Sequence, residues 1–166
     1  MRTPGGDMKP KVYIESSVIR YATAKPSTDI IVLAHQRITE EWWSNAISQF
    51  DLYVSEIVFR EIEQGDKIAA KKRLDIVSGL NNLSLKPEIS KLSEILYEEL
   101  GIPEKSYLDA LHLAIASFFE MDYLVTWNCK HIANGFIISK LLKLKETFNF
   151  HVPIICTPEE LMEVRE

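Results

Sequence analysis

Only two cysteines, Cys129 and Cys156, occur in the 166 residues. That is too few for a disulfide framework, and a reducing cytoplasm is the expected setting. No apolar run approaches the roughly 20 residues that span a bilayer, so no membrane contact is expected. Neither G-x-x-x-x-G-K-S/T nor G-x-G-x-x-G occurs, which removes the common glycine-loop phosphate sites. His35, His112, His131 and His151 lack zinc-type spacing. Cys129-Lys130-His131 raises the question of a reactive thiol, but no Asn or Asp relay for a cysteine hydrolase accompanies it. Positive charge is not in surplus either: 19 Lys and Arg stand against 24 Asp and Glu, a net charge of −5. A surface devoted to non-specific nucleic-acid binding is thereby disfavoured. Local basic strips remain: Lys71-Lys72-Arg73 and the trio Lys140, Lys143 and Lys145 read either as solvated helix faces or as a strip beside an acidic site. Repeats, low-complexity tracts and shifts of composition are absent too, which points to one compact domain over residues 9–166. Residues 1–8 read as a disordered lead without the apolar stretch of a signal peptide, and Met8 reads as an alternative start.

What is present alternates between short apolar runs and helical periodicity. Lys11–Ile14, Asp51–Val54, Tyr123–Trp127 and Pro153–Cys156 read as strands. Between them, residues 30–48 carry apolar side chains at helical spacing (Ile31, Ala34, Ile38, Trp42, Ala46, Ile47). Ser55 reads as the cap of a helix stopped by Gly65, and a further helix covers about 67–80, ending near Asn81-Asn82. Ile89, Leu92, Ile95, Leu96 and Leu100 mark an amphipathic helix closed by Gly101. Residues 106–120 form the most apolar helix, expected at the centre of the fold. A helix to about Phe148 and a short final helix capped by Thr157, with Pro158 first, complete the reading. The expected fold class is α/β: a three-layer α/β/α sandwich around a mostly parallel sheet of four or five strands. Ligands of such sheets bind beyond the carboxyl ends of the strands.

Polar signatures fall at those ends. Glu15 follows the first strand, and Ser16-Ser17 can donate to it. Asp109 interrupts an otherwise apolar helix, and a buried carboxylate is costly without a cation or donors. Ser106…Asp109 also matches the spacing of a capping box. His112, one turn on, shares the face of Asp109 and reads as a core histidine or as one that orders the site. Glu61 follows Ser55, but Glu56 and Glu63 are equally acidic neighbours, and by itself it reads as a surface residue. Thr126-Trp127-Asn128 closes the third strand with groups that orient a carboxylate or ligate a hard cation through an amide oxygen.

Taken together, Tyr13–Ser17, Ser55–Ile62, Asp109–Ala116 and Val125–His131 resemble the corresponding segments of PIN domains, in particular VapC-like toxins of type II toxin–antitoxin systems. The resemblance runs from Lys11 to Leu161. It implies a PIN-like fold, a ribonuclease activity dependent on Mg²⁺ or Mn²⁺, and an acidic quartet around the metal. Residue by residue, it places Glu15, Glu61 and Asp109 in three of those positions, selecting Glu61 over its neighbours, and Asn128 in the fourth. Two departures stand out: Glu15 where Asp is usual, and Asn128 where Asp is frequent, which removes one negative charge.

The expected activity is therefore endonucleolytic RNA cleavage by metal-activated water, with Glu15, Glu61, Asp109 and Asn128 around the cation and Thr126 and Asn128 positioning water or phosphate. The resemblance also implies a homodimer and a cognate antitoxin. Trp42-Trp43 bears on this: Trp42 belongs to the buried helix face, and Trp43, about 100° round, either meets a partner or packs within the monomer. The alternative is a degenerate PIN domain that binds RNA or protein without cleaving, and DNA is an alternative substrate.

Overall fold

A computed structural model describes residues 8–164; all of the expected lead except Met8 lies outside them. The sheet is built on β1 (Lys11–Ile14), whose Val12, Tyr13 and Ile14 are fully buried. β1 pairs in parallel with β2 (Asp51–Ser55) on one side and β4 (Tyr123–Val125) on the other. β3 (Asn81–Leu83) extends the sheet beyond β2, and β5 (Ile154–Cys156) extends it beyond β4. The order β3-β2-β1-β4-β5 is wholly parallel. That is why the inner strands read as unbroken apolar runs rather than alternating ones.

The helices are α1 (Ser16–Thr23), α2 (Ile30–Gln49), α3 (Glu56–Ile62), α4 (Lys67–Val77), α5 (Pro87–Leu100), α6 (Tyr107–Phe118) and α7 (Gly135–Phe148). The chain runs from β1 through β2 to β3 in one direction, then reverses to β4 and β5. Right-handed crossovers therefore place α1–α4 on one face and α5–α7 on the other. The packing agrees: α1 meets α2, α3 and α4, whereas α5 meets α6 and α7. This is the expected three-layer α/β/α arrangement.

Several local expectations are corrected. Of Ser16 and Ser17, it is Ser17 that donates to Glu15, and Ser16 opens an eight-residue helix that no expected element covered, capped by Glu15 through Ser17 N at 3.1 Å. Asn81-Asn82 does not end a helix but begins β3, where Asn81 Nδ2 also donates to Leu52 O at 3.0 Å. A polar three-residue strand suits a sheet edge and carries no apolar signal. Thr157 and Glu160 form reciprocal capping contacts, yet only turns follow. β4 stops at Val125, and the segment to Asn134 is a loop before α7. On α2 the buried positions are Gln36, Thr39, Trp42 and Ala46, while Ile31, Ala34 and Ile47 face solvent. On α6, Leu108 and Phe118 are also exposed, so its burial is one-sided at both ends.

Candidate active site

Reversal of the chain after β3 creates a switch point between β1 and β4, where parallel α/β sheets open a crevice beyond the strand ends. The next residue after β1 is Glu15, and the next after β4 is Thr126. They are tied by the sheet itself: Glu15 N donates to Val125 O at 3.1 Å. Their side chains then meet, Thr126 Oγ1 donating to Glu15 Oε2 at 2.7 Å. The same carboxylate oxygen accepts from Ser17 N at 3.1 Å and from Ser17 Oγ. Three donors thus hold one oxygen of a buried carboxylate at the N-terminus of α1, where the helix dipole also favours negative charge.

Glu61 reaches the same place from the last turn of α3. Its Oε1 accepts from Ser16 Oγ at 2.8 Å and contacts His112 Nε2 at 2.5 Å. His112 lies on α6, fully buried, and its Nδ1 is 2.7 Å from Tyr13 Oη, which in turn is 2.8 Å from Ser55 Oγ. A hydrogen-bonded chain therefore runs Ser55–Tyr13–His112–Glu61–Ser16 across β2, β1, α6, α3 and α1. Two arginines hold the end of α3. Arg20 Nη2 donates to Glu61 O at 2.5 Å, and Arg73 donates from Nε to Ile62 O at 2.8 Å and from Nη2 to Gln64 O at 2.6 Å. Arg73 is consequently buried rather than part of a solvated basic face.

Asp109, in the first turn of α6, meets His131 Nδ1 at 2.9 Å. The capping box is not formed, since Ser106 makes no side-chain cap bond. Asn128 Oδ1 accepts from His131 N at 3.0 Å, and Asn128 N donates to Thr126 Oγ1 at 2.9 Å. Asn128 thus shapes the turn that presents His131.

Electrostatics bind the cluster together. Burial raises the Glu61 carboxyl, but the hydrogen bond and charge of His112, the Ser16 hydroxyl and the Arg20 charge outweigh it and leave Glu61 below its ordinary value. Burial lowers His112, yet the bond to Glu61 and the charges of Glu61, Glu15 and Asp109 outweigh it and leave His112 raised. The charges of all three expected carboxylates therefore act on one imidazole. Tyr13 is raised chiefly by burial and keeps its proton. Burial also raises the Cys129 thiol, with a contribution from Glu160, which argues against the reactive-thiol reading.

Among the described residues, no three His, Cys, Asp or Glu side chains are grouped so as to hold a metal ion as they stand. Glu61 and Asp109 are each turned to a histidine instead. The donor chemistry nonetheless fits a hard cation. Glu15 Oε1, Glu61 Oε2 and Asp109 Oδ1 have no protein hydrogen-bond partner, and none is among the buried unpartnered atoms, so each carboxylate keeps one oxygen open to solvent.

Sequence reasoning singled out Glu15, Thr126 and Asn128 by their places at strand ends and Asp109 by its interruption of an apolar helix. It left His112 open between core and site; the structure buries it fully and sets its Nε2 against Glu61. Tyr13, His131, Arg20 and Arg73 were missed. Their roles are contacts to other segments of the fold, which neighbouring residues do not reveal, and only the polar run from Asn128 to His131 gave any local signal.

No family model and no curated protein matches the chain. Solved structures do. The chain resembles a chain of VapBC2 from Rickettsia felis, determined bound to a DNA fragment from its promoter, with a TM-score of 0.56 and 17% identity over 89% of this chain and 98% of that one. It also resembles a chain of a toxin–antitoxin complex from Klebsiella pneumoniae, with a TM-score of 0.52 and 18% identity over 72% of this chain and 88% of that one.

Proposed function

We propose that this chain, whose fold is PIN-like and of the kind found in VapBC complexes, is a divalent-metal-dependent endoribonuclease and the toxin of a toxin–antitoxin pair. One observation carries the reading: the charges of Glu15, Glu61 and Asp109, which come from three separate segments, all act on His112 beside the switch point of the sheet, and each carboxylate keeps an uncommitted oxygen. A structural core has no use for three carboxylates whose charges bear on one buried imidazole.

Glu15, Glu61 and Asp109 would hold Mg²⁺ or Mn²⁺, with Asn128 bordering them. When bound, such a cation supplies charge neutralisation and water activation. The protein's own contribution is preorganisation. Ser17 and Thr126 fix Glu15, Ser16 and His112 fix Glu61, and His131 fixes Asp109. Its lowered pKa makes Glu61 a better ligand than proton acceptor. Thr126 and Asn128, joined by the 2.9 Å bond, shape the rim on which a scissile phosphate would rest.

Partners follow from the same reading. A homodimer and an antitoxin segment need apolar surface, and the structure offers Ile30, Ile31 and Ile47 on α2 and Phe136 on α7 exposed. Trp43 is half-buried against Trp42 and the core. No helix of the described residues is long and apolar enough to cross a membrane, and a cytoplasmic location is part of the proposal.

The test is cleavage of matched RNA and DNA strands by the purified protein with Mg²⁺, with chelator, and with Asp109→Asn. The expected result is RNA cleavage lost in both controls. Parent-rate cleavage by Asp109→Asn, with or without chelator, would overturn the site. The pairing of Glu61 and Asp109 with histidines favours one second reading, a binding module that does not cleave. Calorimetric titration with Mg²⁺ separates the two, since that module shows no saturable uptake.

A further inference from the structure

Beside the carboxylates lies an aromatic group that the proposed chemistry leaves unused. The ring of His35, on α2, lies flat on Trp127, with centroids 4.0 Å apart and planes 12° from parallel. Tyr21, on α1, meets both rings edge-on at 6.2 and 6.1 Å. One hydroxyl fixes the pair: Thr39 Oγ1 accepts from Trp127 Nε1 at 2.7 Å and donates to His35 O at 2.6 Å. Trp127 is also anchored by its backbone, whose N–H donates to Ser17 Oγ at 2.9 Å; Ser17 Oγ in turn donates to Glu15. The stack is therefore two hydrogen bonds from a proposed metal ligand.

Ordinary packing would bury the outer ring of such a stack. Here His35 and Trp127 are both half-buried, and neither imidazole nitrogen of His35 has a hydrogen-bond partner or is among the buried unpartnered atoms, so both are reached by solvent. The result is a planar ring, rigidly held, with a wetted edge, tied through Trp127 and Ser17 to the carboxylate of Glu15.

We infer that the His35–Trp127 stack is a nucleobase platform, on which a base next to the scissile phosphate of a single-stranded RNA stacks. This rests on the ribonuclease reading. Stacking on aromatic rings tolerates any base and needs no positive field, which suits a protein whose net charge is −5. It also gives the substrate a hold that does not depend on the cation.

Two measurements test it in the full-length protein. The first is kcat/KM on a short oligoribonucleotide and on copies carrying one abasic residue at successive positions. His35→Ala is expected to lower kcat/KM roughly 5- to 100-fold on the intact strand, through KM, and to change it little on the copy lacking the base at the platform. His35→Phe, which keeps the flat ring, should stay near the parent. Equal losses on intact and abasic strands, or no loss at all, would overturn the platform. The second is quenching of tryptophan fluorescence by a 2′-O-methyl oligonucleotide in chelator, where no cleavage occurs. Quenching that disappears in Trp127→Phe, with circular dichroism unchanged, supports the inference even if the parent cuts nothing, an outcome that would sink the ribonuclease reading alone. Quenching that persists in Trp127→Phe, or none in the parent, overturns the platform.

Discussion

Glu61 Oε1 and His112 Nε2 lie 2.5 Å apart although 51 residues separate them in the chain. The contact joins α3 on one face of the sheet to α6 on the other, so it is both a part of the proposed site and a rivet of the fold.

That pair makes stability depend on pH in a defined window. Glu61 lies below its ordinary 4.5, so its contribution is present above about 4.5 and is lost as pH falls through the depressed value. His112 lies above its ordinary 6.5, so its contribution is complete below about 6.5 and is lost as pH rises through the raised value. Thermal melts in chelator should therefore show greatest stability from the pair between about 4.5 and 6.5. In His112→Gln the decline on the alkaline side should flatten. An unchanged alkaline limb in that variant would show that the pair carries no linked charge.

Arg73 is expected to matter for stability rather than for phosphate binding. Its guanidinium is the partner of Ile62 O and Gln64 O, and removing it strands acceptors at the end of the helix that carries Glu61. Arg73→Ala should cost about 1–3 kcal/mol, read as a lower urea midpoint. Arg73→Lys should recover only part of it, because a single ammonium lacks the fork that spans two carbonyls. If Arg73→Ala melts like the parent but loses affinity for RNA, the residue belongs to a basic strip after all.

Trp42 presents the opposite case. The residue is 2% exposed, and its Nε1 is the one buried side-chain polar atom without a partner among the described residues. An unpaired buried donor costs about 1–3 kcal/mol. Trp42→Phe removes that donor but also leaves unfilled space against Trp43 and Phe50. The two effects oppose, so the expected change in urea midpoint is small, whereas Trp42→Ala should be severely destabilising.

How much of this was legible in the sequence depends on whether a residue's role is local. Glu15 and Thr126 stand at strand ends, and strand ends are read from short apolar runs, so both could be singled out. Asp109 could be singled out because its helix is apolar on all other sides. Glu61 had no such contrast with Glu56 and Glu63; its selection came from resemblance alone, and its distinction is the contact with His112. Tyr13 looked like one more apolar strand residue, since nothing nearby reveals that its hydroxyl spans to Ser55 and His112. β3 escaped because an edge strand of Asn, Asn and Leu carries no periodic signal. The turn after Thr157 was taken for a helix because its capping contacts are real, while the helix they would start is not there.

The departure at Glu15, one methylene longer than Asp, has a structural answer that also makes a prediction. A longer side chain lets the carboxylate fold back on its own helix, so that Ser17 N, Ser17 Oγ and Thr126 Oγ1 all reach Oε2 while Oε1 stays free. Glu15→Asp would retract the carboxylate and lose the bond to Thr126 before it lost the one to the nearer Ser17. Metal uptake measured by calorimetry should then weaken in Glu15→Asp, and weaken again in Glu15→Gln, which lacks the charge. Thr126→Val separates orientation from charge. It keeps every carboxylate but frees Glu15 on one side and unpairs Asn128 N, so it should lower affinity by less than Glu15→Gln does. If Glu15→Gln binds Mg²⁺ as the parent does, Glu15 serves only as the cap of α1, and the cation, if any, is held by Glu61 and Asp109 without it.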